Sequence, residues 1–170
     1  MGPLEEQAIE ILAQYPIIDE MPASISGKYH MGESVLQHVD TTSNIVRHFC
    51  LEFGISKEDT DMLVAAALLH DIGNVQITST HPKKGYVYYK ETGYSRDMPG
   101  YRKHGSLGAE LLLTKHKDEI GRVEEIAEIV ASHMSHWHKN EPQPVSEYQK
   151  IIAMADYISS KGEDIFNAPR

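Results

Sequence analysis

His70 and Asp71 stand side by side where the apolar run Met62-Leu63-Val64-Ala65-Ala66-Ala67-Leu68-Leu69 gives way to Ile72-Gly73. Burying an imidazole and a carboxylate without partners costs on the order of several kcal/mol, so the pair needs a reason. A bound cation is the simplest one. Ten of the 170 residues are histidine, the commonest side-chain metal ligand. His38, His133 and Asp156 each interrupt an apolar stripe, and His104 heads a further helical stretch. For any one of them a hydrogen-bonded core position is the simpler reading. Taken together, each would need its own buried partners, whereas one polynuclear centre satisfies all of them. Neutral imidazoles and carboxylates without a thiolate suit divalent iron, manganese, cobalt, nickel, zinc or magnesium, and a carboxylate can bridge two ions. Six such groups around two ions leave open positions, as catalytic sites do.

The elements that must carry these groups are helices. Leu4 to Gln14 has helical apolar spacing and stops before Pro16. Gly32 to Phe53 carries Val35, Val39, Thr42, Ile45, Val46, Phe49 and Phe53 on one face with His38 inside the stripe and His48 opposite; Gly54 closes it. Ser56-Lys57-Glu58-Asp59 resembles a capping box and opens the helix that ends at His70-Asp71. Helix is expected again from His104 to about His116 and from Val123 to about His136. The full capping box Ser146-Glu147-Tyr148-Gln149 then opens a last helix in which Ile152, Ala155, Asp156 and Ser159 share a face. Between Asn74 and Lys103 the period fails. That stretch is rich in glycine, tyrosine and base, with a short strand expected at Val87 to Tyr89 and a turn at Glu91-Thr92-Gly93. Such a long interruption suits a lid or mobile loop. Ile17 to His30 is expected to connect the first two helices as a loop. His30, His48, His81 and His116 are expected on loops or the surface. The fold class is therefore all-α, one irregular helical bundle over residues 1–170 with its ligand-bearing core at about 32–160.

Charge narrows the partners. With 16 basic and 25 acidic residues the formal charge is −9, which argues against a broad hold on duplex nucleic acid or anionic membrane. A small anionic substrate held by a metal is compatible with it, and so is a homo-oligomer. A single cysteine, Cys50, the absence of a basic-then-apolar leader and the lack of a bilayer-length apolar run give the expectation of a soluble, cytoplasmic protein.

The ordered set His38, His70-Asp71, His104, His133, Asp156 resembles the HD superfamily of metal-dependent phosphohydrolases, over roughly Gly32 to Ser160. Leu68-Leu69-His70-Asp71-Ile72-Gly73 resembles the central motif. Lys103-His104-Gly105-Ser106-Leu107-Gly108-Ala109-Glu110-Leu111-Leu112 resembles the histidine-plus-glycine helix start, while Val130-Ala131-Ser132-His133 and Ala153-Met154-Ala155-Asp156 resemble the later ligand helices. The resemblance implies that His38, His70, Asp71 and Asp156 hold one divalent ion. It implies a second on His104 and His133, with Asp71 bridging. The implied reaction is hydrolysis of a phosphate ester or anhydride on a nucleotide or nucleotide-like small molecule, through a metal-bound hydroxide and without a protein nucleophile. The chain departs from the pattern at Asn74, where many members carry a substrate-contacting lysine; Lys83, Lys84, Arg102 and Lys103 are the candidates to replace it. After His133 stands Met134-Ser135-His136-Trp137-His138 rather than the signature of cyclic-dinucleotide phosphodiesterases. His136 is read as a ligand, as the acid for the leaving group or a support to the ligands, or as a surface residue, with the acid or supporting role first, and Trp137 and His138 as pocket edge or helix cap. The loop tyrosines either stack a nucleobase or pack the lid. Two rival readings use the same residues: a di-iron oxygenase, known from a branch of the superfamily, and a non-catalytic binding module.

Overall fold

A helix that is apolar on every side has to be surrounded, and the segment ending at Leu69 is the hub of the molecule. The computed structural model describes residues 1–21, 23, 33–75 and 103–167, with side chains as far as Lys161. Among the described residues there are six α-helices: α1 (Pro3–Ala13), α2 (Val35–Glu52), α3 (Lys57–Leu69), α4 (His104–Thr114), α5 (Val123–Ser132) and α6 (Glu147–Asn167), with a 3₁₀ turn at Pro16–Asp19. Helix α3 packs against α1, α2, α5 and α6, while α4 lies against α5. Every residue of α3 from Met62 to Leu69 is buried. Each of its larger apolar side chains contributes about 1.5–3 kcal/mol by leaving water.

Local signals set the helix ends. Ser34 and Gln37 form a reciprocal capping box that starts α2, three residues later than the apolar stripe suggests. Gly54, at φ +66°, closes that helix in the left-handed region glycine tolerates best. The Ser56 hydroxyl accepts the Asp59 N–H at the start of α3, and Ser146 and Gln149 complete the expected box before α6. Helix α1 is capped from outside its own sequence. The N–H groups of Leu4 and Glu5 donate to Asp61 Oδ2 and Oδ1, each at 2.9 Å, fastening α1 to α3.

Two expectations need correction. Helix α5 stops at Ser132 rather than continuing to His136, because the chain tightens into turns in which Trp137 and His138 N–H both donate to the Met134 carbonyl. His116 lies in the loop after α4, one of the two places expected of it, but is fully buried there rather than exposed. The chain after α4 folds back so that its Nε2 meets the Tyr15 hydroxyl at 2.6 Å and its Nδ1 meets the Glu119 carboxylate. His48 is exposed, as expected. Lys83, Lys84, Arg102, His30, His81, the Val87 to Tyr89 strand and the turn at Glu91-Thr92-Gly93 lie outside the described residues, as do most of the Asn74 to Lys103 and Ile17 to His30 segments. No helix of the described residues is long and apolar enough to cross a membrane.

Candidate metal centre

Three glycines let the ligand-bearing backbones close on one another. A Cβ on Gly73 would stand 1.8 Å from the His104 carbonyl oxygen and 2.7 Å from the Gly108 nitrogen, so the turn after Asp71 lies directly against the first turns of α4. A Cβ on Gly105 would come 3.1 Å from the Ala131 and Val130 carbonyl oxygens, and one on Gly108 3.0 Å from Val130 Cγ1. Helix α4 therefore settles between the Asp71 turn and α5, delivering His104 beside His133.

The six side chains so delivered are all at least nine-tenths buried. His38 Nε2, His70 Nε2 and Asp156 Oδ1 form a triangle with edges of 3.2, 2.9 and 3.4 Å. Asp71 Oδ2 lies 3.6 Å from both imidazole nitrogens of that group. The other oxygen of the same carboxylate, Oδ1, is 2.9 Å from His104 Nε2 and 3.3 Å from His133 Nε2, and those two nitrogens are 3.2 Å apart. One carboxylate thus turns one oxygen to each of two donor clusters.

The donor chemistry fits divalent cations. His70 Nδ1–H donates to the Ala67 carbonyl and His133 Nδ1–H to the Val130 carbonyl, each at 2.6 Å. In the neutral ring this leaves a lone pair on each Nε2, aimed at the nitrogen of a second histidine. Donor atoms gathered this way repel one another unless a cation lies between them. With metal–nitrogen bonds of about 2.0–2.1 Å, donor–donor edges come to roughly 3.0 Å for octahedral and roughly 3.4 Å for tetrahedral coordination, and the observed edges span those values. His70 and His133 also cap the C-termini of α3 and α5, the negative ends of the helix dipoles, which favour positive charge.

The titration behaviour of the donors agrees. Burial pushes the carboxyl of Asp71 up, but His70, His104 and His133 outweigh it and hold it well below its ordinary range. Asp156 is likewise held low against burial by His38 and His70. Burial pushes the His70 imidazole down; the charges of Asp71 and Asp156 reverse this and raise its pKa to about 9. Burial, the largest influence on His133, lowers its pKa. Without a metal, then, the two carboxylates recruit a proton to His70. The cluster calls for positive charge.

Other residues singled out in the sequence stand apart from the donors. Lys103 is exposed at the N-cap of α4, next to His104. His136 is exposed, with its ring against Trp137 and Tyr157. Asn74 is buried, its amide donating to the Asp71 carbonyl at 3.0 Å, so it braces the turn that carries Asp71. Sequence reasoning missed the supports: the Ala67 and Val130 carbonyls, Ser159 Oγ at 3.2 Å from His38 Nδ1, and Ser160, whose hydroxyl donates to the Asp156 carbonyl at 2.7 Å. Ser159 did carry a signal, since it falls three residues after Asp156 on the same helical face. It also missed Glu141, buried with an oxygen accepting from Ser106 Oγ at 2.6 Å, which ties the start of α4 to the chain beyond α5.

Searches of curated proteins and of solved structures returned no match. A family model described as HD domain matches residues 35–161, the span from the first residue of α2 to the last described side chain of α6. With that match over most of its length, the chain belongs to the HD domain family, whose members are mostly metal-dependent phosphohydrolases.

Proposed function

We propose that this protein is a metal-dependent phosphohydrolase that cleaves a phosphate ester or anhydride on a nucleotide or nucleotide-like small molecule. The observation that carries the reading is the division of the Asp71 carboxylate between two donor clusters. His38, His70, Asp156 and Asp71 Oδ2 would hold one divalent ion, and His104, His133 and Asp71 Oδ1 a second. When bound, such ions activate water for attack on phosphorus and neutralise phosphoryl oxygens.

The protein's part is preorganisation. The Ala67 and Val130 carbonyls lock the His70 and His133 rings with Nε2 inward, and Asn74 steadies the backbone of Asp71. Among the described residues two carboxylates, Asp71 and Asp156, would face a pair of divalent ions, so this donor set would leave excess positive charge for an anionic substrate to complete. Lys103, exposed beside His104, is placed to add to that attraction, and Lys83, Lys84 and Arg102 are further candidates from the same basic stretch. The chain's single thiol, Cys50, is buried and its pKa is raised by that burial, which suits attack by water rather than by a protein nucleophile.

The test is elemental analysis of the purified protein followed by a phosphate-release screen over nucleotides with manganese, cobalt or magnesium. Two ions per chain and phosphate release are expected. An iron-loaded sample that consumes oxygen with a small substrate, and releases no phosphate from any nucleotide, would replace this reading with the oxygenase.

A further inference from the structure

Beside the buried donors lies a patch of opposite character. Tyr157 follows the ligand Asp156 directly on α6, and His136 and Trp137 follow His133 by one turn of chain beyond the end of α5. Their rings meet: His136 and Tyr157 edge-on with centroids 4.5 Å apart, His136 and Trp137 edge-on at 5.2 Å, and Trp137 and Tyr157 tilted at 5.8 Å. A packing cluster would hide such rings, since aromatic side chains carry a large hydrophobic payload. Here Tyr157 is 38% exposed and Met154, one turn earlier on α6, is 42% exposed, while His136 is exposed and Trp137 half-buried. The patch is therefore presented to solvent on the same two chain segments that supply one ligand to each half of the centre.

We infer that His136, Trp137 and Tyr157 form an aromatic seat for the planar base of the phosphorylated substrate, so that the site selects nucleotides over bare sugar phosphates. The inference rests on the phosphohydrolase reading for the position of the phosphate. Adjacency supplies the placement: Tyr157 is the residue after Asp156 on α6 and His136 the third after His133, so the patch borders the donors on both segments. Aromatic faces bind any base by stacking with little selectivity among bases, and a histidine edge adds a hydrogen-bonding group for the base rim. His136, read from sequence as an acid or a support to the ligands, becomes part of the specificity surface. Tyr157 and Trp137 are positioning residues for the substrate and take no part in bond cleavage.

Trp137 is the chain's one tryptophan, so its fluorescence reports the seat without reference to turnover. Zinc-loaded protein is titrated with adenosine 5′-monophosphate, cytidine 5′-monophosphate and ribose 5-phosphate, with excitation at the red edge of the tryptophan band. Both nucleotides should quench the emission saturably and ribose 5-phosphate should not. In parallel, the ratio of kcat/KM for adenosine 5′-monophosphate to that for ribose 5-phosphate should fall about tenfold in Tyr157→Leu, through KM, and recover in Tyr157→Phe. Equal response to all three ligands, or an unchanged ratio in Tyr157→Leu, overturns the seat. Quenching by nucleotides with no phosphate released from any of them upholds the seat and sinks the hydrolase reading. Hydrolysis of all three without quenching does the reverse.

Discussion

Replacing Gly73 by alanine should remove one half of the metal centre before it unfolds the protein. The added Cβ would sit 1.8 Å from the His104 carbonyl oxygen, a backbone atom, where real Cβ contacts do not fall below 3.0 Å. The first turn of α4 must then retreat by more than about 1 Å, whereas metal sites tolerate ligand displacements of about 0.2 Å. The residue displaced is His104 itself, whose Nε2 lies 2.9 Å from Asp71 Oδ1. His38, His70 and Asp156 stand on α2, on the α3 terminus and on α6, and none is on the displaced element. Overpacking of this kind costs about 1–3 kcal/mol, which for a chain of this size lowers Tm by roughly 2–12 °C. The assay is metal stoichiometry by elemental analysis, paired with a circular-dichroism melt. Gly121→Ala is the control, because its Cβ would meet just the ends of two flexible side chains, Leu4 at 3.0 Å and Gln7 at 3.9 Å. Gly73→Ala protein that folds with two ions and an unchanged Tm would refute the claim that this glycine sets the His104 to Asp71 approach.

His104→Ala should lower the metal content from two ions to one and abolish phosphate release while keeping the fold, whereas Asp71→Ala should weaken both ions; equal stoichiometry in the two variants, measured by elemental analysis, would contradict the bridging assignment. Metal-free protein should lose stability as pH rises from 6.5 to about 9. His70 is raised to about 9 from an ordinary 6.5, so its contribution is full below 6.5 and disappears as the pH climbs through its folded pKa. Asp71 and Asp156, held low, act in the opposite sense: their contribution is present above the ordinary carboxylate range and is lost as the pH falls. A chelated sample whose Tm rises between pH 6.5 and 9, relative to His70→Asn, would rule this out. Zinc added near neutral pH should release a proton, detectable as a buffer-dependent heat in calorimetry. Finally, His116→Ala should cost about 1–3 kcal/mol in urea unfolding by freeing Tyr15 and Glu119, while leaving metal content at the wild-type value.

Much of this molecule is legible in its sequence because helices write locally. The stripe through Val35, Val39 and Val46, the all-apolar α3 and the Ser146 to Gln149 box each carry their instruction within a few residues. The candidate donors were legible for a related reason: His38, His70, Asp71, His133 and Asp156 are polar residues on faces that had to be buried, and that contradiction is visible in a one-dimensional pattern. What the pattern lacks is distance across the chain. The burial of His116 depends on Tyr15, 101 residues away. The cap on α1 comes from Asp61. The early end of α5 follows from turns that seat His136 and Trp137 against Tyr157. Above all, spacing could nominate Asp71 but could not divide its two oxygens between His38 with His70 and His104 with His133. That division depends on Gly73, which lets the Asp71 turn approach α4 to a distance no side chain would permit, and on the tight fits at Gly105 and Gly108 against α5, a steric fact between segments far apart in the chain.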